Sequence, residues 1–124
     1  MQTNDIEIYL AKLGQELHAQ GVQQPVRILL VGGAFMLTQV GSRQTTDDID
    51  VVLKDIEDST ISPLYQTFKA AVRAVGQDND LPRAWLNDVI SDFLKDIGNV
   101  PEGILWRKYD ELEVFLPPKD YIWH

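Results

Sequence analysis

Asp48 and Asp50 stand two residues apart in Asp48-Ile49-Asp50-Val51-Val52-Leu53, a segment that alternates with period two. On a strand, Ile49, Val51 and Leu53 share one face, while Asp48, Asp50 and Val52 share the other. Residues two apart on a strand sit ~6.6 Å apart along it, so both carboxylates can converge on one cation. Without a cation, their repulsion raises a pKa. Upstream, the apolar run Val26–Val31 is of strand length and ends at Gly32-Gly33. A glycine pair at that point is either a tight strand-to-helix turn or a place where backbone N–H groups approach a phosphate. The carboxylate pair on the same unit favours the second reading. The chemistry would be cation-assisted handling of phosphate.

The elements that must position these groups are legible from patterning. Residues 4–20 carry Ile6, Leu10, Leu13 and Leu17 at helical spacing, with Asn4 and Glu7 as a capping box and Gly21 as the stop. His18 near the end of this helix suits its surface or its C-terminus. Val26–Val31 lacks clean alternation, as expected of a strand covered on both faces, with Arg27 reaching solvent. Residues 34–40 have helical character and stop at Gly41, and a polar turn holds Arg43, Thr45 and Thr46. Residues 54–61 read as a solvated linker without the ligand spacing of a calcium loop.

Ser62 as N-cap and Pro63 at the first helical position start a further helix. Leu64, Phe68, Val72 and Val75 form its buried stripe, Gly76 ends it, and Lys69 and Arg73 lie on another face, where solvated surface is the preferred reading over a phosphate contact. Residues 77–80 form a turn. Residues 82–97 then predict a helix with Trp85, Val89, Phe93 and Ile97 on one stripe and Asn87 and Asp88 bonding at its start. Residues 104–106 and Leu112–Leu116 predict two strands flanking the polar residues 107–111. In the second strand, Leu112, Val114 and Leu116 share a face and leave Glu113 and Phe115 on the other.

The order strand, Gly-Gly, short helix, then a strand bearing Asp-x-Asp resembles the active-site segment of the nucleotidyltransferase superfamily, the one built like the palm of DNA polymerase beta. The resemblance is closer to small bacterial nucleotidyltransferase-like proteins related to abortive-infection toxins. It is carried by Gly32-Gly33-Ala34, Arg43, Thr45-Thr46, Asp48-Ile49-Asp50 and Trp85-Leu86-Asn87-Asp88, and spans roughly residues 26–121. The 14 residues from Ala34 to Asp47 make the glycine-to-aspartate spacing slightly long for the superfamily.

The resemblance implies an α/β (α+β) fold, a mixed sheet with helices mainly on one side. It further implies transfer of a nucleoside monophosphate from a nucleoside triphosphate to a hydroxyl acceptor on a nucleic acid or protein. Magnesium, or alternatively manganese, would be held by Asp48 and Asp50. A third carboxylate from a neighbouring strand is expected, with Glu113 the candidate and Asp110 and Glu111 weaker alternatives. Gly32, Gly33, Arg43, Thr45 and Thr46 would receive or brace the phosphates. A non-catalytic module acting by protein contact, such as a toxin–antitoxin component, is the second reading.

Length and composition bound these readings. The chain of 124 residues fits one domain, residues 1–124, with room for a real core. Its net charge of −8 argues against broad electrostatic contact with a nucleic-acid backbone. The absence of cysteine excludes disulfides and thiolate metal sites. With no long apolar run and no signal-like N-terminus, a cytoplasmic protein off the membrane is expected. The resemblance implies a helix after Pro117-Pro118, and with the sequence ending at His124 that helix is expected to be missing or supplied from elsewhere. Tyr121, Ile122 and Trp123 are therefore expected to pack on a second copy, as a homodimer, or on a partner protein.

Overall fold

Val26–Val31 is the middle strand of a five-stranded mixed sheet, and the remaining elements are arranged around it. The computed structural model describes residues 2–31, 48–53, 62–88 and 103–117. In chain order these form α1 (Thr3–Ala19), β1 (Val26–Val31), β2 (Ile49–Leu53), α2 (Pro63–Asp78), β3 (Leu86–Asn87), β4 (Ile104–Tyr109) and β5 (Leu112–Leu116). The sheet order is β3-β2-β1-β5-β4. The β1–β2 and β4–β5 pairs are antiparallel, whereas β1–β5 and β2–β3 are parallel.

Both described helices cover one face of this sheet. Ile6, Leu10, Leu13 and Leu17 of α1 and Phe68, Ala71, Val72 and Val75 of α2 pack with Ile28, Leu30, Ile49, Val51, Leu53, Leu112 and Val114. This is the α+β arrangement expected from the sequence, with the strand faces divided as the alternation requires. On the opposite face, Leu29, Val31 and Val52 form a smaller buried cluster with Phe115 against it. Burying a large aliphatic side chain is worth ~1.5–3 kcal/mol, so the helix-side cluster carries most of the apolar stabilisation among the described residues.

The start of α2 follows its sequence signals: Ser62 Oγ accepts from Tyr65 N–H at 3.3 Å and Pro63 takes the first turn. Four local expectations are corrected. The capping interaction of α1 lies two residues earlier than Asn4 and Glu7, because the Asp5 carboxylate accepts the Gln2 N–H at 2.8 Å. Gly76 does not end α2, which runs to Asp78, with Gly76 buried inside it against the Trp85 indole. Residues 82–88 are not helical: Leu86 and Asn87 pair with Ile49 and Asp50 as a short parallel strand. Finally, β4 extends through the polar residues to Tyr109, which is permitted because it is an edge strand with one solvated side. A two-residue turn joins it to β5, with Asp110 at φ +53. The short helix expected over 34–40, the loop 54–61, the helical stripe beyond Asp88 and the apolar trio Tyr121, Ile122 and Trp123 lie outside the described residues. No described helix is long and apolar enough to cross a membrane.

Candidate functional site

Strand β2 turns Ile49, Val51 and Leu53 into the helix-side core and so commits Asp50 and Val52 to the opposite face, with Asp48 in the bend just before the strand. Asp50 lies level with Val31 at the C-terminal end of β1 and, on its other side, with Asn87 of β3. The two glycines of the sequence directly follow Val31. Both aspartates are half-buried. Burial first, and the nearby Asp48 charge second, push the Asp50 carboxyl above the usual aspartate range.

Gly32, Gly33, Arg43, Thr45 and Thr46 lie outside the described residues.

Glu113 does share a sheet face with Asp50, but it stands at the other end. It is level with Arg27, four positions from Val31 along β1, and one strand beyond β1. That places it ~13 Å along the strands and ~9.6 Å across them from Asp50. Magnesium ligands sit ~2.1 Å from their ion, so one ion does not join Glu113 to the aspartate pair. The Glu113 carboxylate instead meets Arg27 Nε at 3.2 Å. Asp110 and Glu111 lie no nearer: Glu111 accepts Val26 N–H with its carbonyl at 2.8 Å and meets His18 with its carboxylate at 3.0 Å. Among the described residues, no three His, Asp or Glu side chains are grouped to hold a metal.

The side chain that the topology brings beside Asp50 is Asn87, whose expected role was at a helix start. An amide oxygen there can accept a hydrogen bond or contribute one neutral oxygen to a hard cation. The next residue, Asp88, turns to the helix side, where it is 4% exposed. Lys69 Nζ reaches its Oδ1 at 3.0 Å, while Oδ2 has no hydrogen-bond partner among the described residues. A strand of two residues has no readable period, which is why the sequence concealed the placement of Asn87.

A half-buried carboxylate with a raised pKa, with a second carboxylate near it, suits a divalent cation, since a positive charge offsets burial and repulsion. Alone they make a weak magnesium site, which water and phosphate oxygens would complete. Comparison with protein-family models, with curated proteins and with solved structures found no match for this chain.

Proposed function

We propose that this chain is a nucleotidyltransferase-like domain that binds a nucleoside triphosphate with magnesium at Asp48 and Asp50. The reading rests on one observation: Asp50 of β2, level with the end of β1, and Asp48 just before that strand are both half-buried, and burial together with the Asp48 charge disfavours ionisation of Asp50. The motif resemblance supplies the reaction class. When bound, magnesium neutralises charge on the phosphoryl oxygens and orients them. The aspartates hold the cation, and Asn87 stands beside Asp50 to orient its carboxylate or an adjoining water. Gly32, Gly33, Arg43, Thr45 and Thr46 are proposed to receive the outer phosphates, and a hydroxyl of a nucleic acid or protein is proposed as the acceptor.

A second reading is favoured by the neutral Asn87 next to Asp50 and by the distance of Glu113. A domain with two acidic ligands rather than three can bind a magnesium–triphosphate complex without transferring the nucleotide. It would then act through protein contact.

Calorimetry with nucleoside triphosphates, with and without magnesium, tests the shared part of both readings. Binding should tighten with magnesium, and Asp48→Asn and Asp50→Asn should abolish that gain while leaving the circular dichroism spectrum intact. If both variants retain it, the site is misassigned. Incubation with α-labelled triphosphates then separates the two: label on an acceptor or on the chain supports transfer, and magnesium-dependent binding without label supports the non-catalytic module.

A further inference from the structure

Helix α2 carries Lys69, Arg73 and Gln77 four residues apart, which places them along one side of the helix. After the helix, the Leu81 N–H donates to the Gly76 carbonyl at 2.8 Å, so the chain folds back beside that row. Trp85 N–H then donates to the Pro82 carbonyl at 3.0 Å, which holds Arg83 in a tight turn. The Trp85 indole is fixed by its own bond from Nε1–H to the Val72 carbonyl at 2.9 Å. Gly76 is what permits this approach, because a Cβ there would stand 2.9 Å from Trp85 Nε1.

The result is a cavity of about 620 Å³ between α2 and the segment leading into β3. Leu81, Trp85 and Leu86 supply apolar wall, while Lys69, Arg73 and Arg83 supply charge. Among the described residues, three cationic side chains and no carboxylate line the cavity, on a chain whose net charge is −8. Lys69 is engaged with Asp88, but among the described residues neither Arg73 nor Arg83 has an ion-pair partner. Asp78 and Asp80 are exposed close by in sequence and are not part of the wall. A guanidinium presents a planar fork that matches a carboxylate or a phosphate. The volume lies within the ~300–1,000 Å³ typical of small-molecule sites and far exceeds the need of a bare inorganic anion.

We propose that this cavity binds a small organic anion, a carboxylate or phosphate ester carrying an apolar body. The anionic end sits between Arg73 and Arg83, and the apolar body lies toward Leu81, Trp85 and Leu86. The cavity is on the helix side of the sheet, whereas Asp50 is on the opposite face, so the proposal does not depend on magnesium or on nucleotidyl transfer.

The test uses the full chain in the presence of a chelator, so that no divalent cation contributes. 1-Naphthyl phosphate, 1-naphthoate, neutral 1-naphthol and inorganic phosphate are each titrated, and the Trp85 indole N–H resonance is followed by NMR after assignment with Trp85→Phe. At least one naphthyl anion should shift that resonance saturably. The Arg73→Gln/Arg83→Gln double variant, whose two side chains are exposed, should keep a dispersed spectrum and bind at least about tenfold more weakly, as expected for loss of charge-assisted hydrogen bonds. 1-Naphthol should also bind at least about tenfold more weakly than the anion. Binding of both anions marks a general carboxylate-and-phosphate site, and binding of one alone identifies which head group it takes. The proposal is overturned by no saturable shift up to millimolar concentration, by naphthol binding as tightly as the anions, or by full affinity in the double variant. Inorganic phosphate binding as tightly as 1-naphthyl phosphate would equally overturn it, because the apolar wall would then contribute nothing.

Discussion

Lys69 reaches the Asp88 carboxylate at 3.0 Å from the solvent side, so the two partners of this pair differ sharply in exposure. The lysine side chain is 38% exposed and the aspartate side chain 5%. Removing the lysine strands a buried charge, whereas neutralising the aspartate leaves the lysine free to meet water. Lys69→Met is therefore expected to lose about 3–5 kcal/mol of stability. Asp88→Asn keeps a hydrogen-bond acceptor and should lose less than about 2 kcal/mol. Urea unfolding of both variants at neutral pH measures the asymmetry, and equal losses would contradict it.

Glycine to alanine inside a helix ordinarily gains ~0.5–1 kcal/mol. At Gly76 the sign should reverse. The new Cβ meets Trp85 Nε1 at 2.9 Å and Cδ1 at 3.0 Å, and the indole cannot retreat without giving up its bond to Val72. Overpacking of this kind costs ~1–3 kcal/mol. Gly14→Ala should cost more, since its Cβ would collide with the backbone carbonyl oxygen of Tyr109, which has no rotamer to escape into. Thermal unfolding midpoints should rank wild type first, then Gly76→Ala, then Gly14→Ala.

The raised pKa of Asp50 fixes the sign of a pH effect. The folded chain holds that proton to higher pH than the unfolded chain does, so stability falls as pH rises from the ordinary aspartate range through the folded value. Asp50→Asn removes this penalty. The variant should be more stable than wild type at neutral pH, and the difference should close under acid conditions. Denaturant midpoints recorded across that range check the slope.

His18 loses stability with rising pH in the same sense, although the cause is an attraction rather than burial. Its hydrogen bond with Glu111, the Glu111 charge and then the Asp110 charge raise its pKa above the ordinary histidine value. The resulting stabilisation is complete below the ordinary value and disappears as pH rises through the folded one. NMR titration of the His18 ring should show a midpoint above that of an unpaired histidine. Glu111→Gln should lower it most of the way, with Asp110 retaining a smaller influence.

The strands that bear the candidate site were legible because alternation in residues 48–53 and Leu112–Leu116 reports directly which face each side chain takes. Position along a strand is a different quantity. Glu113 has the right face and the wrong end, since its level relative to Asp50 is set by pairing through β1, and no local pattern encodes that register. Gly76 misled for a related reason: a glycine that stops a helix and a glycine that admits an indole are identical in the sequence. The two-residue strand at Leu86 and Asn87 was hidden behind a helical spacing that begins at Trp85. Its evidence is in its partners, Ile49 and Asp50, rather than in itself.

The parallel partnership of β1 and β5 also bears on how the domain is made. Arg27 and Glu113 are 86 residues apart in sequence yet lie side by side in the sheet. During synthesis, α1 can coil and β1 can pair with β2 well before β5 leaves the ribosome. Until then, one hydrogen-bonding edge of the sheet's middle strand stays open, with apolar Val26, Ile28 and Leu29 along it. Such an edge invites pairing with other nascent chains. Contacts of this separation also slow folding, because a long loop must close before it is rewarded. Closure by the locally formed β4–β5 hairpin should therefore be the late, rate-setting event. In the interval before it, that edge is open to strands other than β5.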